Sequence, residues 1–183
     1  MFTRQPDETR VPMGLVIPLL AGFVGTAVMT IAMAAMHRCL PAEQQGPLPP
    51  RQISMAAAER VGVKNRMDEQ TRFSTTMALH FGYGTVVGAL YAPLADTVPG
   101  CSPFKGMAFG VLVWAASYLG WLPMSGLLSS ATRHPAARNA LMMAAHLVWG
   151  SVIAMIVEHA ERGDGNGTET ARIVPGHRPV GQP

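Results

Sequence analysis

The sequence predicts an all-α integral membrane protein, a four-helix bundle built from two helical hairpins. Three observations carry this. Four uncharged apolar runs, each long enough to cross a bilayer, are separated by loops that hold charge, proline or glycine. No strand-like alternation competes with them, and backbone groups in lipid must bond internally, which favours helices. A short motif is also written twice, as His80-Phe-Gly-Tyr83-Gly84-Thr85-Val86-Val87-Gly88 and as His146-Leu-Val-Trp149-Gly150-Ser151-Val152-Ile153-Ala154.

In chain order, residues 1–12 form a polar tail with Arg4 and Arg10. The first span is expected near 13–36, since Met13 to Met36 holds no charge. A basic start and an Ala32-x-Ala34 site also fit a signal peptide, but the run is longer than a signal h-region and resembles the third run, so retention is expected. Leu40-Pro41 closes this helix. Pro47, Pro49 and Pro50 then mark a loop, and a short helix is expected from Arg51 to Val61, with Gly62 as its cap. It reads as an interfacial helix on the membrane or as a solvent-exposed loop helix. Asp68 and Glu69 suit the positive start of the next helix, whose span is expected near 72–94. The third span is expected near 105–128, interrupted by Pro123, and the fourth near 138–158. Together residues 13–158 form the transmembrane domain. Residues 159–183 lack apolar mass to pack and are expected to be disordered.

The runs echo one another in pairs. Helices 2 and 4 share the histidine motif, and helices 1 and 3 share a loose glycine pattern, each followed by Leu-Pro. Two tandem hairpins share one orientation, which makes a parallel internal repeat. His80 and His146 each follow seven residues after the start of the apolar run, so both are expected about 10 Å from the same membrane face, turned toward one interior. Gly84 and Gly150 lie at i+4 on the same stripe. With Gly22, Gly88, Gly106 and Gly110 they offer small surfaces where helices can approach closely. Thr26, Thr30 and Ser117 are expected to line the shared space, with Tyr83 and Trp149 flanking the histidines.

Several chemistries are excluded or weakened. A net charge of +3, dispersed, makes no case for nucleic acid. Cys39 and Cys101 have no CxxC or zinc-type spacing, and no carboxylate lies inside any of the four uncharged runs to complete a metal site. Ser117, Ser125 and Ser151 lack an acid–base partner in sequence, so no enzyme chemistry is expected. A membrane histidine is a functional candidate by default. It can equally tie helices together by bonding Ser or Thr. Imidazole titrates near neutral pH, which leaves a proton-responsive transporter or channel as an alternative. Two parallel histidines also fit axial ligation of haem b, though no CxxCH motif and no second histidine pair occur.

Four stretches carry a family resemblance: Leu48-Pro49-Pro50-Arg51, His80-Phe-Gly-Tyr-Gly, Ser117-Tyr-Leu-Gly120-Trp-Leu-Pro123 and His146-Leu-Val-Trp149-Gly150. They resemble the uncharacterised bacterial inner-membrane proteins grouped loosely with YagU, over about residues 12 to 158. The resemblance implies a multi-pass protein of the bacterial inner membrane with no settled activity, and a tie to acid tolerance belongs to that family. The reading is therefore a small non-enzymatic membrane protein, structural or self-associating as a homo-oligomer, with the lipid bilayer as its surroundings. Arg and Lys favour the loops after helices 1 and 3, with eight against six elsewhere, so the long loop after helix 1 is expected in the cytoplasm.

Overall fold

A computed structural model describes residues 13–95, 97 and 100–172. The expected N-terminal tail and residues 173–183 lie outside these. Among the described residues the protein is all-helical. Helix α1 spans Met13–His37, α2 Pro49–Arg60, α3 Glu69–Ala89, α4 Tyr91–Ala95, α5 Ser102–Ala115, α6 Leu122–Ser125 and α7 Ala136–Arg172. Three helical stretches are long and apolar enough to cross a membrane: Gly14–His37, Ser102–Ser125 and Ala136–Arg162. These point to a membrane protein.

The helix ends follow local chemistry. Asp68 caps α3, its side chain accepting from the Thr71 amide at 2.9 Å. Gly62 ends α2 at φ 75°, a left-handed position that penalises any Cβ. Pro49 and Pro50 sit in the first turn of α2, where a missing N–H costs nothing.

Four boundaries differ from the sequence reading. The expected span at 72–94 is broken at Leu90, between α3 and α4, and it is not among the three apolar stretches. Its first turns carry Gln70, Thr71, Arg72, Ser74, Thr75 and Thr76, which dilute its hydropathy. The third run stays helical through its proline because α5 and α6 are joined by a π-helical segment, Ala116–Trp121. Pro123 has no N–H for the Leu119 carbonyl and its ring crowds that turn. The ladder shifts register instead, and the Leu122 amide bonds the Ser117 carbonyl. Residues 159–172, expected as disordered tail, continue α7, because extending a formed helix is far cheaper than starting one. Lastly, α2 runs Pro49–Arg60 rather than from Arg51 to Val61. It packs on α3 and buries Pro49, Ser54 and Ala58, with Ser54 Oγ 2.8 Å from Thr76 Oγ1.

The helices pack in the order α3, α1, α7, α5. Glycines set the close approaches. A Cβ on Gly88 would lie 2.6 Å from the Gly22 Cα, and one on Gly22 would lie 2.7 Å from the Thr85 carbonyl oxygen. A Cβ on Gly84 would overlap the Thr26 hydroxyl. On the other side, Gly106 meets the Gly150 backbone and Gly110 meets the His146 carbonyl. Ala21, Tyr91, Phe109, Trp149, Ile153 and Val157 fill the interior between these seams. The outward faces carry exposed Leu20, Phe23, Val24, Ile31, Phe104, Leu112 and Met155. In water such a surface would be a large apolar patch, and in lipid it is the expected one.

Candidate functional site: a histidine-lined chamber

The two copies of the motif meet at one cavity of about 270 Å³. Thr26 and Met29 come from α1, and Leu79, His80, Tyr83 and Gly84 from α3. The π segment and its flanks bring Val113, Ser117, Tyr118, Trp121 and Leu122. Met142, His146 and Trp149 come from α7, and Pro50, Ile53, Ser54 and Ala57 of α2 roof the chamber. His80 is eleven residues into α3 and His146 ten into α7. At 1.5 Å per residue both sit about 15 Å along their helices, which start earlier than the apolar runs.

The hydrogen bonds separate the histidines. A carbonyl only accepts, so His146 Nδ1–H donates to the Met142 carbonyl at 2.7 Å. In the neutral ring the lone pair is then on Nε2, which has no partner among the described residues. His80 works differently. The Thr30 hydroxyl proton goes to the Thr26 carbonyl at 2.7 Å, so Thr30 Oγ1 accepts from His80 Nε2–H at 3.1 Å. His80 thereby ties α3 to α1, whereas His146 bonds only within its own helix and leaves one nitrogen for the chamber. Thr30 does not line the cavity, and it acts through His80.

Two further ties frame the site. Thr26, fully buried, donates to the Gly22 carbonyl at 2.7 Å and accepts from Trp149 Nε1–H at 3.2 Å. This joins α1 to α7. Tyr83 and Ser117 share a hydroxyl hydrogen bond of 3.0 Å between α3 and the π segment. Tyr118 stands edge-on to His146, with ring centres 5.8 Å apart, and Trp149 stacks on Phe109. Sequence reasoning did not name Tyr118, Trp121, Met142 or the α2 residues as site residues, although Tyr118, Trp121 and Pro50 fall in the stretches that carry the family resemblance. The break imposed by Pro123 was the one available signal, since the π turn it forces is what brings Ser117, Tyr118 and Trp121 to the chamber wall together.

Among the described residues, no Asp, Glu, Lys or Arg lines the chamber. Among the described residues, no three His, Cys, Asp or Glu side chains cluster to hold a metal. A bis-histidine haem takes one ring nitrogen from each histidine, and the arrangement here would leave Nδ1 of His80 and Nε2 of His146 for that role. Charged contacts lie at the α2 end. Arg51 pairs with Glu69 at 2.7 Å, and its guanidinium holds that carboxylate below the usual range. Arg138 donates to the Pro47 carbonyl at 2.7 Å, and Arg60 donates to the Ser125 carbonyl. At the opposite end Ser102 donates to Glu158, while Lys105 donates to the Ala95 carbonyl at 3.1 Å.

No curated protein and no solved structure matches the chain. One family model does, over residues 13–165, which takes in α1 to α6, most of α7 and both histidines. The chain therefore belongs to a family of unknown function, DUF6789.

Proposed function

We propose that this is a non-enzymatic protein of the bacterial inner membrane, with four spanning helices that enclose a binding chamber at His146. In this reading α3 is the fourth span despite its polar first turns. Leu79, Val86 and Leu90 are exposed along it, a surface that suits lipid. The two tandem hairpins and the distant YagU-like resemblance belong to the same reading, as does a cytoplasmic α2 loop.

One observation carries the chamber. His146 is buried, yet it keeps a ring nitrogen unpartnered beside a cavity rather than beside packed side chains. The conduction alternative is less well supported. Below the cavity the interior is filled by Trp149, Phe109, Tyr91 and Ile153, all buried, and the glycine seams leave little space between backbones. A closed end favours binding over passage. The test is reconstitution in liposomes with an imposed pH gradient. Proton flux should match that of empty vesicles. Flux that the protein supports and that His146→Phe abolishes would overturn the reading in favour of a proton path.

A further inference from the structure

The chamber has a side entrance. Tyr83 and Trp121 line the cavity, yet they are 43% and 41% exposed, and their rings lie 5.9 Å apart. Residues that are both lining and exposed stand at a mouth. This mouth lies between α3 and the π segment, the two ends of the packing order, where no extensive helix packing closes the bundle. Leu79, half exposed, lies beside it on α3. The Tyr83–Ser117 hydrogen bond is the polar tie across the gap.

We propose that the chamber binds a small, uncharged, hydroxyl-bearing aromatic molecule of the phenol class, which enters sideways from the bilayer between α3 and α5. The inference rests on the chamber reading above and adds the occupant and its route. Charge excludes ions, because nothing in the lining compensates one and an isolated buried charge is prohibitively costly. Hydrogen bonding selects a donor, because His146 Nε2 offers a lone pair. The ring nitrogen left on His80 is also an acceptor once Nε2–H is given to Thr30. Tyr118 also lines the chamber, and a phenolic hydroxyl can accept or donate. A hydroxyl group, which donates and accepts at once, fits this set. Tyr118, Trp121 and Trp149 supply aromatic walls, and ring–ring contacts favour an aromatic body. About 270 Å³ lies at the small end of ligand cavities, which limits the guest to about one or two rings.

The experiment is fluorine NMR on the full chain in nanodiscs, with empty nanodiscs as the blank. The probes are 4-fluorophenol and 4-fluoroanisole, which share a ring and differ in the donor proton. The phenol should bind saturably to the wild type and the ether about tenfold more weakly, the effect of one hydrogen bond. His146→Phe should lower phenol affinity to that of the ether, while His146→Gln, which keeps an acceptor, should retain part of the preference. Equal affinities in the wild type would overturn the donor inference and leave the chamber standing. Failure of both probes to bind would overturn the chamber reading as well. The wild-type comparison does not depend on any variant folding. For the route, Tyr83→Phe, which removes the tie to Ser117, should speed exchange of bound phenol. Exchange that responds to Arg51→Ala at the roof, and not to Tyr83→Phe, would place the entrance at the α2 end instead.

Discussion

Removing the Thr26 hydroxyl should weaken the α1–α7 contact by an amount that the surroundings fix. Thr26→Val keeps the shape and deletes the acceptor for Trp149 Nε1–H, which lies 3.2 Å away in an indole only 3% exposed. The Gly22 carbonyl loses a second donor but lies within α1, so little of the cost comes from there. Leaving a buried donor unpaired costs about 1–3 kcal/mol in water-soluble proteins. Hydrogen bonds between membrane helices average nearer 0.6 kcal/mol and reach about 1.7 kcal/mol, because the unfolded chain in lipid also finds partners. The expected coupling is therefore about 1 kcal/mol. A double-mutant cycle with Trp149→Phe isolates it, since that change alone also disturbs the stack on Phe109. Reversible unfolding in mixed detergent micelles is the assay, with Thr26→Ser as the control that retains the acceptor. A coupling below about 0.3 kcal/mol, the level at which independent sites add, would refute the reasoning.

The glycine seams make a paired prediction. Gly150→Ala should destabilise by about 1–3 kcal/mol, since its Cβ would lie 2.8 Å from the Gly106 carbonyl carbon and 3.0 Å from the Gly110 amide nitrogen. Gly82→Ala, whose Cβ meets nothing within 4 Å, should stabilise by up to about 1 kcal/mol, and the same micelle titration reads both. Acid should loosen α2. The Glu69 carboxylate, lowered by its hydrogen bond to Arg51, contributes fully above its unfolded pKa, and the contribution fades as pH falls through the lower folded value. Amide exchange in α2 should therefore rise below about pH 4, and Arg51→Ala should remove that step. For topology, a C-terminal reporter should be active outside the cytoplasm, and an active cytoplasmic reporter would reverse the orientation. The free thiols Cys39 and Cys101 should yield no cross-linked peptide in non-reducing mass spectrometry, because such a bridge would join opposite ends of the bundle.

The helices were legible in the sequence because charge exclusion and proline placement act locally. Met13–His37 needed only the uncharged run, and Asp68 and Gly62 announced their caps. The repeated motif singled out His80 and His146, and both line one chamber. Two features were not legible. The roles of the histidines diverge because Thr30 lies opposite one and nothing comparable lies opposite the other, which is a matter of helix packing rather than of the motif. The roof formed by α2 was hidden as well. Its apolar face is weak by composition, and what seats it is the Ser54–Thr76 hydrogen bond together with the Arg51–Glu69 pair, both side-chain partnerships between distant positions. The π turn falls between these cases. Pro123 signalled a break, but only the packed helix shows that the break is absorbed by a shifted ladder.

The division of labour between the histidines is the centre of the account, and nitrogen NMR of histidine-labelled protein in lipid tests it most directly. Near neutral pH, His146 should carry its proton on Nδ1, bonded to the Met142 carbonyl, with the lone pair on Nε2. His80 should carry its proton on Nε2, bonded to Thr30, and Thr30→Val should shift the His80 signals while leaving those of His146 in place. Two histidines with the same tautomer, or a His146 protonated on Nε2, would contradict the account.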